Sequence, residues 1–188
     1  ALALAVLEGA PAQPGEAPRR AGVWTGPPGH ELDDGARAAL DAAVAALERS
    51  GCALEPIEDA ALDGALEVFA TLQGSEALRT HGEHGLFPQR RDEYPEEIAR
   101  RLEAARSMTA ERLDAARAEL RTLVARLDEL LARVDVIVSP VAPVAPPRLG
   151  EEREVRSGSA RGIRESVLPY TVPQNLTGLP ACAVRPAI

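Results

Sequence analysis

Apolar positions along the chain follow two rhythms, and the change from one to the other outlines the fold. Gly22-Val23-Trp24-Thr25-Gly26 is a short strand-like run closed by Pro27-Pro28-Gly29. Ala36, Leu40, Val44 and Leu47 then recur at spacings of four, four and three, the stripe of an amphipathic helix. Asp33 or Asp34 is placed to cap it, and Gly51 to stop it just after Ser50. Cys52 to Ile57 reads as a second strand. Strand, helix, strand in this order is the βαβ rhythm of an α/β protein.

The helical period returns from Asp59 to Thr80, weakened by Gly64 and Gly74. His81 to Tyr94 is polar and mixed in charge, so a surface loop is expected there. Pro95, Glu96 and Glu97 suit the first turn of a further helix, which runs to Arg133 with a break near Ser107–Thr109. Within it Leu113, Ala116, Leu120, Leu123, Leu127, Leu130 and Val134 keep a heptad spacing. A dimerising coiled coil and a helix lying on its own sheet would both show that stripe over so short a length. The stripe runs directly into the strand-like VDVIVS, which favours the second reading.

That run, Val134 to Ser139, is apolar almost throughout, as in a strand covered on both faces. Pro140, Pro143, Pro146 and Pro147 end it, and residues 150–163 read as a flexible loop. Residues 164–188 form a turn-rich terminal segment, TVPQNLTGLPACAV within it, closing on a short strand at 181–185. Residues 1–20 read as a helix end and a proline-rich linker, and 21–149 as the α/β and helical portion of one domain. The expected fold is a helix-rich α/β sandwich around a mixed sheet, with strands at 22–26, 52–57, 134–139 and 181–185.

Composition narrows the chemistry. The chain has 188 residues, which suits one domain, and 3% aromatics, so its core must be aliphatic. All 21 basic residues are Arg, which removes every mechanism that needs a Lys. A net charge of −8 makes nucleic acid and anionic membrane surfaces poor partners. No apolar run approaches the roughly 20 residues of a membrane span. Cys52 and Cys182, far apart and unpaired in spacing, fit buried thiols in a reducing, cytoplasmic setting. His81 and His84 stand three apart between glycines, unlike the i, i+4 zinc pair on a helix. No Gly-x-Ser-x-Gly elbow and no phosphate-binding glycine loop occurs, so no metal and no cofactor are expected.

VDVIVSPVAPVAPPRLGEE (Val134–Glu152) followed by TVPQNLTGLPACAV (Thr171–Val184) resembles the C-terminal half of the amidase signature family. AGVWTG, the helix and strand DDGARAALDAAVAALERSGCALEPIE, and the opening ALALAVLEGAP match the family in its order, over nearly the whole chain. The resemblance implies a partial amidase-type α/β/α sandwich and, in a longer parent, hydrolysis of a small-molecule amide. Members use a Ser–cis-Ser–Lys triad upstream of the position matching Ala1. This sequence offers no catalytic residue in its place and is expected to be a silent fragment. Tyr170, Thr171, Gln174, Asn175 and Thr177, in or beside the terminal motif, are the implied substrate-cleft residues. Glutamine-dependent members place an acid just before that motif; Val167 and Leu168 stand there instead, with Glu165 nearby, which points to a less polar amide. A non-catalytic dimerisation module is the alternative. Strands left without neighbours would invite homo-oligomers and leave Cys182 reactive.

Overall fold

A computed structural model describes residues 15–58, 62–146, 153–156 and 159–185. Strand β1 (Arg20–Val23) leads to helix α1 (Asp34–Arg49) and strand β2 (Ala53–Pro56). Helix α2 (Ala65–Glu83), a 3-10 turn (Arg91–Glu93), and helices α3 (Glu96–Arg106) and α4 (Ala110–Leu131) follow. Strand β3 (Val136–Val138), a hairpin of β4 (Arg153–Arg156) and β5 (Ser159–Gly162), and helix α5 (Ile163–Thr177) complete the order.

Helix α1 matches its sequence signals closely. Asp33 Oδ1 accepts the Ala36 N–H at 2.7 Å, and Gly51 follows the helix with φ +82°. The second carboxylate oxygen of Asp33 accepts the Ala145 N–H at 2.9 Å. One side chain thus caps α1 and ties it to the proline-rich segment after β3. The break between α3 and α4 is a second capping event, in which Thr109 Oγ1 accepts the Arg112 N–H.

The three-stranded sheet has the order β2-β1-β3 and is wholly parallel. The expected helix-rich α/β fold is present; its described three-stranded sheet is parallel, and the described antiparallel pairing is the separate β4–β5 pair, within the segment read from sequence as a loop. Parallel neighbours need long crossovers, supplied here by α1 and by the α2–α4 run. β1 lies at the centre. β3 is at an edge of the described sheet, and Val136, Ile137 and Val138 are only half-buried.

Asp135 locks the start of this sheet. Its Oδ2 accepts the N–H groups of Arg19 (2.7 Å) and Arg20 (3.0 Å), while its own N–H donates to Arg20 O. These backbone donors, Arg19 first, hold its carboxyl below the usual range. A depressed native pKa adds stability that is present above the unfolded value and lost as pH falls through the folded one. Asp135→Ala is therefore expected to melt lower than the parent near neutrality. The difference should shrink as the pH is lowered through the acid range, as thermal melts at a series of pH values would show.

The stripe of α4 is consumed inside the chain. Leu127, Leu130 and Val134 join Trp24, Leu40, Ile57 and Tyr170 in the core around the sheet. Leu123 and Leu120 join Ala65, Val68 and Val172 between α2, α4 and α5. Helix α2 touches α3, α4 and α5, which explains its weak amphipathicity: several of its sides are covered. Its glycines have placed roles. Gly64 is the residue before the helix at φ +81°, and a Cβ on Gly74 would lie 3.3 Å from Met108 and 3.6 Å from Ala105.

Three expectations are corrected by packing. The surface loop expected at His81–Tyr94 begins as helix and then buries Phe87, 1% exposed, against Ala99 and Leu102. His81 Nδ1 lies 2.6 Å from the Tyr94 hydroxyl, so it is not a solvated loop histidine. The strand expected at 181–185 has no regular structure: Val184 is 75% exposed and Cys182 is exposed, whereas Cys52 is buried. The turn-rich segment around TVPQNLTG is helix α5 as far as Thr177, with Pro169 and Pro173 inside it. The helix end expected at residues 1–9 lies outside the described residues.

Candidate functional site

Helix α5 carries the five residues expected to face a cleft, and the structure spends most of their polar groups locally. Tyr170 is 1% exposed, with its ring 5.7 Å from that of Trp24 and 6.0 Å from that of His30. Its hydroxyl is 3.5 Å from the His30 carbonyl oxygen. Thr171 Oγ1 donates to Leu168 O at 3.4 Å, and Thr177 Oγ1 to Pro173 O at 2.8 Å. With its amide oriented so that the nitrogen faces the helix, the Gln174 side chain donates to Thr171 O (3.2 Å) and Tyr170 O (3.3 Å). Asn175 is exposed.

The helix carries two internal prolines, Pro169 and Pro173. Each proline removes one backbone donor, and the hydroxyl and amide side chains add bonds to carbonyls along the same helix. Gly178, at φ +70°, ends the helix by donating its N–H to Gln174 O at 3.1 Å. Its positive φ, legible from sequence as a turn signal, serves as a helix stop.

A cavity of about 420 Å³ opens beside this helix. Trp24, Pro27, Pro28 and His30 come from the segment after β1; Leu62 to Glu67 and Ala70 come from the segment after β2 and the first turns of α2; Pro169 comes from α5. The cavity thus sits beyond the carboxyl ends of two parallel strands, where open α/β sheets place ligands. Its size is that of a small-molecule site, and most of its walls are apolar. The described lining takes Pro169 from α5 and none of the five expected residues; Tyr170 stands behind it, packed on Trp24.

Polar groups at the cavity are few. Asp63 Oδ1 accepts the Gly64 N–H at 2.9 Å at the start of α2. Glu67 lies 3.7 Å from Arg112, with both side chains largely exposed. The indole N–H of Trp24 is buried and has no acceptor among the described residues. Such a group costs about 1–3 kcal/mol while unmet. Among the described residues no three His, Cys, Asp or Glu converge as metal ligands, and no helix is long and apolar enough to cross a membrane.

The sequence reading missed Trp24, His30 and the start of α2 as cavity residues. One signal could have found them. Trp24 is the sole Trp of the chain and lies in the strand-like run that Pro27-Pro28-Gly29 closes, near the strand end where this topology puts ligands.

The fold has close counterparts. A crystallised amidase superposes with a TM-score of 0.77 at 25% identity, covering 93% of this chain and 40% of that one. A 6-aminohexanoate cyclic dimer hydrolase superposes at 0.65 with 22% identity, covering 89% of this chain and 37% of its own. In sequence, 69 residues are 39% identical to a subunit of the glutamyl-tRNA(Gln) amidotransferase of Akkermansia muciniphila, over 35% of this chain and 13% of that protein. The chain therefore spans well under half the length of each of these relatives. The amidase family model matches residues 9–187, and by that match the chain belongs to the amidase family.

Proposed function

We propose that this chain forms the substrate-binding side of an amide-hydrolysing site and does not itself break the amide bond. The match of residues 9–187 to the amidase family carries the reading. The cavity beyond β1 and β2 supports it as the place where a small amide lies. The absence of Lys throughout the sequence means that the family's Lys base must come from outside these residues. Helix α5, with Tyr170, Thr171, Gln174, Asn175 and Thr177, acts as the backing that positions Trp24 and Pro169. Val167 and Leu168 before the terminal motif favour a simple amide over a glutamine donor. Burial of Leu123, Leu127 and Leu130 in the chain's own cores weighs against the dimerisation module. Two unpaired cysteines suit a reducing, cytoplasmic setting.

Two assays test this. The chain alone, given simple aliphatic and aromatic amides, is expected to release no ammonia; turnover lost on treatment with a serine-directed reagent would overturn the silent role. A folded chimera in which residues 9–187 replace the matching part of the crystallised amidase is expected to hydrolyse amides. A folded chimera that positions the amidase's own triad yet binds no amide would count against the cavity as the substrate side.

A further inference from the structure

The cavity against Trp24 also carries information about what it excludes. Its walls, formed by Trp24, Pro27, Pro28, Leu66 and Pro169, are apolar, and Asp63 and Glu67 are the acidic groups at its rim. Both are exposed. No arginine is among the described lining residues. Glu67 shares its charge with Arg112, but Asp63 has no cationic partner among the described residues. The start of α2 would ordinarily attract an anion through its free N–H groups. Here Asp63 accepts the N–H of Gly64, the residue before the helix, and Glu67 places a carboxylate in the first turn, while no side chain caps the first-turn N–H groups. An anionic ligand at this end of the helix therefore meets two carboxylates beside those N–H groups.

We propose that this cavity takes the apolar body of an amide whose outward end is neutral or cationic, and that Asp63 and Glu67 turn away amides that end in a carboxylate. The inference rests on reading the cavity as the chain's share of an amide site. It concerns which amides enter, a property that membership of the family leaves open.

Trp24 supplies the readout. As the sole Trp of the sequence and a wall of the cavity, it gives a single indole N–H signal in a ¹⁵N correlation spectrum. The whole chain is titrated at low ionic strength and one fixed pH. Three benzamides are used that differ only at the para position: aminomethyl, methyl and carboxyl. The aminomethyl and methyl compounds are expected to saturate the Trp24 shift at concentrations about fivefold or more below the carboxylate, as two nearby charges in high dielectric allow. In Asp63→Asn/Glu67→Gln, or in about 1 M salt, the gap should close to less than twofold. Ala70→Phe, at an exposed lining position, should abolish binding of all three while leaving the melting curve unchanged.

A carboxylate that binds as tightly as its methyl counterpart overturns the charge selection and leaves the amide-site reading standing. Silence of the Trp24 signal with all three compounds, or shifts that survive Ala70→Phe, overturns the cavity reading and the selection with it.

Discussion

Gly26→Ala is expected to lower the melting temperature by about 10 °C, given that 1 kcal/mol moves a domain of this size by roughly 2–4 °C. Gly26 is buried at φ +117°, a conformation that L side chains rarely adopt. A Cβ there would lie 2.3 Å from the Tyr170 hydroxyl and 2.4–2.5 Å from the ring edge behind it. Backbone strain of about 1–3 kcal/mol and overpacking of about 1–3 kcal/mol act together. Tyr170 cannot swing away cheaply, because its other side is packed on Trp24. The physical claim is a specific contact between the end of β1 and α5, and a double-mutant cycle isolates it. In a Tyr170→Ala background, itself destabilised, adding Gly26→Ala should cost clearly less than it does alone. Equal costs in the two backgrounds would mean that strain at Gly26 alone sets the effect.

Leu123→Ala should be comparably damaging. Leu123 is 1% exposed and packs with Ala65, Val68 and Val172, where α4 meets α2 and α5. Truncating such a residue costs about 2–5 kcal/mol, the spread depending on how far the neighbours collapse into the space. A domain holds only about 5–15 kcal/mol in total. Leu113→Ala, on the same stripe but only partly buried, should cost much less. The comparison also separates the two uses of the heptad. If the stripe serves the chain's own core, the loss at Leu123 is independent of protein concentration. If it serves a dimer, melting temperatures of parent and variant should rise with concentration, and their difference should change with it.

Local signals in the sequence were enough to place α1, β2, the α3–α4 break and β3, whereas β1 spans Arg20–Val23 and stops short of the expected Trp24 to Gly26. Each depends on neighbours a few residues away: the Asp33 cap, the Gly51 stop, the Thr109 cap, and the β-branched run through Val138. Family membership was legible for a similar reason, since it lay in proline-rich motifs and their order along the chain. The absence of Lys, and hence the need for a base from elsewhere, is a property of composition alone.

Tertiary structure decided the rest. Pro169 and Pro173 argue against a helix by every local rule, yet α5 forms, with Tyr170 and Val172 buried in the two cores that it joins. Phe87 lies in a polar stretch that reads as surface; only the approach of Ala99 and Leu102 makes a buried place for it. The expected strand at 181–185 has an apolar pattern but no neighbouring strand among the described residues, and pairing cannot be read from one segment alone. The cavity is the clearest case. Trp24, Asp63 and Pro169 are far apart in sequence, and no spacing rule links them. They meet because parallel pairing of β1 and β2 brings the ends of both strands to one side, and Tyr170 then draws α5 against them.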